Sequence, residues 1–151
     1  MGAVGALLLD MVLSLLLLLL LMVYYRWALT WLVLWLPVFV LAAILAASGL
    51  GLILSALNVN FRDVKYAVPF LIQMGIFVTP VIYPPSYLPS KWRLVLAMNP
   101  MTGVVMGFRH ALLGSPISWS VAGISLGMSL LLFVGGLFIF RRLEARFADV
   151  I

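Results

Sequence analysis

Few side chains in this 151-residue chain could do chemistry: it has four acids, nine bases, one histidine and no cysteine. Asp10 is the acid set inside an apolar run. An acid at membrane depth is costly and often belongs to a proton relay or a substrate contact. No second acid or intramembrane histidine stands near enough to extend a relay. An acid solvated at the cytoplasmic end of its helix, or bonded within the bundle, explains Asp10 without chemistry. Arg109 and His110 are adjacent, but no carboxylate or serine lies at a spacing that would complete a catalytic set. Arg109 therefore reads as a structural or headgroup contact. Without cysteine there is neither a disulfide nor a thiol-based metal site. A phosphate-cradling GxxxxGK[ST] loop is missing, as is HExxH. Any work against a gradient must draw its energy from elsewhere.

The elements that hold these residues are apolar helices. The chain is 66% hydrophobic and 9% charged, with a mean hydropathy of +1.28, whereas soluble domains are about a quarter charged. The expected fold is all-α: one membrane domain over residues 1–151, a polytopic bundle of about four transmembrane helices plus a re-entrant or interfacial helical hairpin. Spans are expected at about residues 3–25, 32–57, 68–83 and 118–140. The leucine-rich first run lacks the basic start and cleavage site of a signal peptide. The +5 charge does not indicate nucleic acid, because the bases are scattered rather than gathered on a face.

Between the third and fourth spans the pattern breaks. Pro84, Pro85 and Pro89 interrupt any helix, and the two pieces that follow, on either side of Asn99-Pro100, are each too short to cross a bilayer. The residue before a proline is biased to extended backbone, and proline suits a first helical turn. Residues 84–114 are thus expected to form a hairpin dipping in from the outer face. Such broken helices are tolerated at membrane depth only inside protein or around a cavity.

Small residues mark helix contacts. Ala43, Ala47, Gly51 and Ser55 recur every fourth position, Gly123 and Gly127 form a GxxxG pair, and Gly135-Gly136 offer a second close approach; small side chains let membrane helices approach closely. Tyr24, Tyr25, Trp27 and Trp31 form an aromatic belt at a bilayer surface. Arg62, Asp63 and Lys65 in the connection before the third span, with the tail 141–151 and its Arg141, Arg142 and Arg146, mark the cytoplasmic side.

Three stretches carry a family resemblance: LNVNFRDVKYAVPFLIQ, then TPVIYP at 79–84, then LAMNPMTGVVMGFRHALLG. Together with the terminal FADVI they resemble the ABC-2 type permeases, and within them the branch exporting lipid-linked polysaccharides such as O-antigen, capsule and teichoic acid. The resemblance implies a multi-pass protein of the bacterial inner (cytoplasmic) membrane, working as a homodimer with a channel between the two copies. By the same resemblance it would not itself be an enzyme and would bind no cofactor, with ATP used by a separate ATP-binding-cassette ATPase. The hairpin at 84–114 would cap the channel and help gate it. Tyr83, Tyr87 and Trp92, with Asn99, Pro100 and Arg109, would lie at the exit near the glycan, although interface anchoring also accounts for the aromatics. Arg62, Asp63 and Lys65 would face the ATPase.

Family permeases have six spans, an N-terminal amphipathic helix and a coupling helix that docks on the ATPase. This chain resembles the last four spans, which is expected of a truncated gene, a misassigned start or a fragment. Two other classes remain as alternatives. One is a non-transporting membrane scaffold or inactive truncated permease, for which small-residue faces and belts suffice. The other is an intramembrane enzyme, which the unpaired ionisable residues disfavour.

Overall fold

The computed structural model describes residues 2–26, 30–61, 63–81, 83 and 89–147, with the side chains of 2–8, 10, 11, 60, 90 and 144–147 left aside. Arg62, Tyr87, Trp27, Arg146 and the side chain of Asp10 therefore lie outside the described part. Every regular element among the described residues is helical. The chain divides into two compact units, Met1–Trp31 and Leu32–Ile151.

The first unit is essentially one helix, α1 (Gly2–Tyr24). Its side chains from Val12 to Tyr24 are nearly all exposed and apolar. Tyr24 and Tyr25 meet edge to face, 5.3 Å between centroids.

The second unit begins with a single 3₁₀ stretch, Trp31–Trp35, that runs into α2 (Leu36–Asn60). Pro37 sits in the first turn of α2, where no N–H is needed for the helical ladder. After the polar connection comes α3 (Val64–Val78). It starts before the expected residue 68 and stops well before 83. The stop has a local cause: Thr79 precedes Pro80 and is extended, with φ −87° and ψ 134°, the conformation that a following proline imposes. The early start places Pro69 inside the helix. Two short helices follow, α4 (Ser90–Ala97) and α5 (Pro100–Leu113), and then the long α6 (Trp119–Phe147).

Two segments have the length and apolarity to cross a membrane, Trp31–Val59 and Trp119–Leu143. Two shorter apolar helical segments accompany them, Val12–Tyr24 and Val64–Val78. At 1.5 Å per residue a 25-residue helix is roughly 38 Å long, enough for a hydrocarbon core of about 30 Å.

The core of the second unit is the three-helix contact of α2, α5 and α6. Where α2 crosses α6, Gly49 and Gly136 face each other so closely that a side chain at either would run into the other helix's backbone. Ala42, Ala46 and Ala56 continue this buried face of α2. The expected stripe is the neighbouring one: Ala47, Gly51 and Ser55 are exposed, and Ala43 is half-buried. Gly123 and Gly127 are exposed as well, and a Cβ added to Gly51, Gly123 or Gly127 would meet nothing within 4 Å. Of the second expected approach, Gly135-Gly136, the structure uses Gly136, which meets Gly49, while a Cβ on Gly135 would meet nothing within 4 Å.

Candidate functional site

The hairpin of α4 and α5 gathers most of the polar contacts among the described residues. Its turn is built by Asn99. The backbone of Asn99 is extended, φ −79° and ψ 117°, as its place before Pro100 requires. That conformation lets its side chain cap α5: Asn99 Oδ1 accepts the Met101 N–H at 3.0 Å, satisfying one of the donors that a helix start leaves without a partner. The other end of the same amide is not local. Asn99 Nδ2 donates to Thr79 Oγ1 at 3.0 Å, and Thr79 is only 8% exposed. One side chain thus starts α5 and ties it to the end of α3.

A second tie runs parallel to the first. The Arg109 guanidinium donates through Nη2 to the Val81 carbonyl, in the backbone freed just after α3. Tyr83 folds back on the same segment, its hydroxyl donating to the Phe77 carbonyl at 3.2 Å. Two residues of the hairpin, Asn99 and Arg109, therefore grip residues 79–81.

The hairpin is seated on α2 and α6 by close packing. Phe39 of α2 is fully buried, and its ring lies against Gly107 of α5, where an added Cβ would collide with it. One turn earlier, a Cβ on Gly103 would lie 2.5 Å from the Cβ of Ser125. Ser125, also fully buried, donates to the Ala97 carbonyl at 2.9 Å. That carbonyl ends α4, where the helix leaves acceptors without an internal partner. Ser129 Oγ donates in turn to the Ser125 carbonyl at 3.0 Å. The buried Thr102 hydroxyl has no hydrogen-bond partner among the described residues.

α5 ends at Gly114, in the left-handed conformation at φ 62°, with its N–H on the His110 carbonyl at 3.1 Å. This is a common glycine stop. His110 holds the Ser115 carbonyl through Nδ1 at 2.7 Å and lies edge-on to Trp119, 5.6 Å between centroids. Trp119 also meets Trp35 at 5.0 Å. His110 is engaged in holding the α5–α6 connection. Among the described residues no group of three or more acids and histidines could hold a metal ion.

Between α4, α5, the 115–118 connection and the first turn of α6 lies a cleft of about 640 Å³. Arg93 and Arg109 are in its lining, beside Leu96, Met106 and Val121. A second groove, of about 350 Å³, lies between the end of α2 and the start of α3, with Ser55, Asn58 and Lys65 in its wall. Asp63 and Lys65 are exposed there.

The structure brings Asn99, Pro100 and Arg109 together in one hairpin. Tyr83 stands close by on the 79–83 segment, bonded to α3. Trp92, 59% exposed, lies on α4. Sequence reasoning missed Thr79, Arg93 and Ser125. Thr79 was visible only as part of TPVIYP. Ser125 and Ser129 stand one turn apart on the buried face of α6, a spacing masked by the more conspicuous GxxxG beside it.

The sequence is similar to those of known proteins. A sequence profile of the ABC-2 type transporter family matches residues 3–113, which include α1, α2, α3 and the hairpin. The chain is similar to two proteins of Klebsiella pneumoniae named O-antigen export system permease protein RfbA. Each is 27% identical over 108 residues, covering 72% of this chain and 42% of the relative. A protein of the same name from Myxococcus xanthus is 41% identical over 59 residues, covering 38% of this chain and 23% of the relative. The chain thus spans well under half the length of the curated relatives it matches.

Proposed function

The chain belongs to the ABC-2 type transporter family, and from that premise we propose that it acts as the transmembrane permease subunit of an exporter. Its cargo is a lipid-linked polysaccharide or polyol phosphate, moved out across the bacterial cytoplasmic membrane and energised by a separate ATP-binding-cassette ATPase. The observation that carries the reading is the likeness to O-antigen export permeases over 108 residues.

The geometry supports a particular division of labour. In α3, Tyr66, Phe70, Leu71, Ile72, Phe77 and Val78 are exposed and no described residue is buried. An apolar helix so open within one protomer suits a contact with a second copy as well as with lipid. In a homodimer paired there, the channel lies between the copies. The hairpin, tied to the end of α3 by Asn99 and Arg109, would follow any movement of α3 and so open or close the exit. Tyr83 and Trp92 offer aromatic faces to passing sugars, and Tyr87 is assigned to the same role from the sequence alone. At the opposite end of α3, Arg62, Asp63 and Lys65 form a secondary contact with the ATPase.

Affinity purification of the tagged permease from native membranes tests the partnership. An ATP-hydrolysing subunit that co-purifies in a fixed ratio is the expected result. A permease complex without any such subunit in membranes that are actively exporting glycan contradicts it and favours a scaffold role.

A further inference from the structure

Among the hydroxyls where the hairpin rests on α6, one is left out. Ser125 donates to the Ala97 carbonyl at 2.9 Å, and Ser129 donates one turn back to the Ser125 carbonyl at 3.0 Å. Thr102 is as fully buried as either, yet its Oγ1 has no hydrogen-bond partner among the described residues. The cause is its place in the helix. A mid-helix serine or threonine can reach the carbonyl four residues back, as Ser129 does. Thr102 is the third residue of α5, which begins at Pro100. Four residues back lies Met98, beyond the extended Asn99 and so off the ladder of α5. The carbonyl three back, that of Asn99, already accepts the Thr102 N–H at 3.0 Å.

The packing around this hydroxyl is otherwise tight. At the next residue, Gly103, a Cβ would lie 2.5 Å from that of Ser125 and 3.2 Å from the Ala122 carbonyl. Thr102 also lines the cleft of about 640 Å³ beside α5, although its Oγ1 is shut off from solvent while α5 rests on α6. A buried hydroxyl without a partner disfavours the conformation that buries it. Elements that move in function are drawn from the less stable parts of a fold. A small lift of α5 from α6 would open the cleft to Thr102 and bring a water to its hydroxyl. Such a water needs polar neighbours as well as room, and Ser115, Ser118 and Arg109 line the same cleft.

We infer that the Thr102 hydroxyl keeps the hairpin poised to leave its seat: it lacks a partner while α5 rests on α6 and is hydrated when α5 lifts. This favours the lifted position by roughly three- to tenfold, the lower range for a buried unsatisfied hydroxyl, since hydrogen bonds in membrane proteins are weak. The ties from Asn99 and Arg109 carry the lift to the segment after α3. That the movement opens an exit rests on the export reading; the equilibrium of the hairpin on its seat does not.

The test uses the purified permease with whatever subunits accompany it, in lipid nanodiscs. The chain has no cysteine of its own, so Ala122→Cys, at a position 1% exposed on α6 opposite Gly103, reports alone on the seat. Its rate of reaction with a small thiol reagent follows the fraction of time that α5 is lifted. Thr102→Val, which keeps the shape and removes the hydroxyl, should slow that reaction roughly three- to tenfold. In the cysteine-free chain it should raise the thermal unfolding midpoint. Thr102→Ser, which keeps the hydroxyl and gives up a methyl, should do neither. An unchanged or faster reaction in Thr102→Val overturns the inference, as does a lowered midpoint, because the hydroxyl would then be neutral or bonded in the seat. Equal slowing by Thr102→Ser overturns it too, since the hydroxyl would not be the cause. Slowed reaction in Thr102→Val with full export of surface glycan upholds the role of Thr102 and refutes the gating of the exit by the hairpin.

Discussion

Replacing Asn99 by alanine removes two side-chain hydrogen bonds. The loss of the cap on the Met101 N–H costs about 1 kcal/mol. The loss of the donor to Thr79 Oγ1 strands a hydroxyl in a site only 8% exposed, which costs about 1–3 kcal/mol in the general case. Side-chain hydrogen bonds in membrane proteins average nearer 0.6 kcal/mol, so the low end applies and the sum is roughly 2 kcal/mol. Thr79→Val removes the other partner. The double variant should then be less damaging than the sum of the singles, with a coupling of roughly 0.6 kcal/mol. The assay is thermal or denaturant unfolding of the purified permease in detergent, for wild type, both singles and the double. Because the same bond links the hairpin to the end of α3, export by Asn99→Ala, alone or with Pro100→Ala, should fall while the protein stays in the membrane. Strict additivity of the two stability changes, or an Asn99→Ala protein as stable as wild type, would show that the tie is not there.

Other positions separate in the same way. Gly107→Ala forces a Cβ into the buried ring of Phe39 and should destabilise by about 1–3 kcal/mol, whereas Gly51→Ala, with open space at its Cβ, should leave unfolding of the detergent-solubilised monomer unchanged. A loss seen only in the assembled transporter would place Gly51 in a contact between subunits. Ser125→Ala leaves the Ala97 carbonyl without its buried donor and should cost about 1–2 kcal/mol by unfolding; a neutral change removes Ser125 from the seating of the hairpin. Single cysteines at Lys65 and at Trp92 should react with a membrane-impermeant thiol reagent from opposite faces, Lys65→Cys only after the cytoplasmic side is opened; labelling of both in intact cells contradicts the proposed orientation.

Much of the helical layout is legible because it follows from composition and from proline chemistry. Asn99-Pro100 announces both a break and a cap, since the amide, the extended backbone before proline and the free N–H groups of a helix start are all local. Distant partners are not. Nothing in the chain before Pro80 says that Thr79 will meet Asn99, or that Ser125 will close the end of α4. The small-residue face of α2 shows a subtler limit. Ala42, Ala46 and Ala56 are buried on the side of Gly49, which meets α6, while Ala43, Ala47, Gly51 and Ser55 lie one position round. In a helix apolar on every side, hydrophobic periodicity does not mark the packed face. Two adjacent small-residue stripes then look alike until a partner helix selects one.

The central claim, export of a lipid-linked glycan, is tested most directly by deleting the permease gene and staining intact cells for surface glycan while extracting lipid-linked glycan from the membranes. The account predicts a bare surface with carrier-linked glycan accumulating inside, restored by the wild-type gene and poorly by Asn99→Ala with Pro100→Ala. Normal surface glycan in the deletion strain, with no accumulation inside, would contradict it.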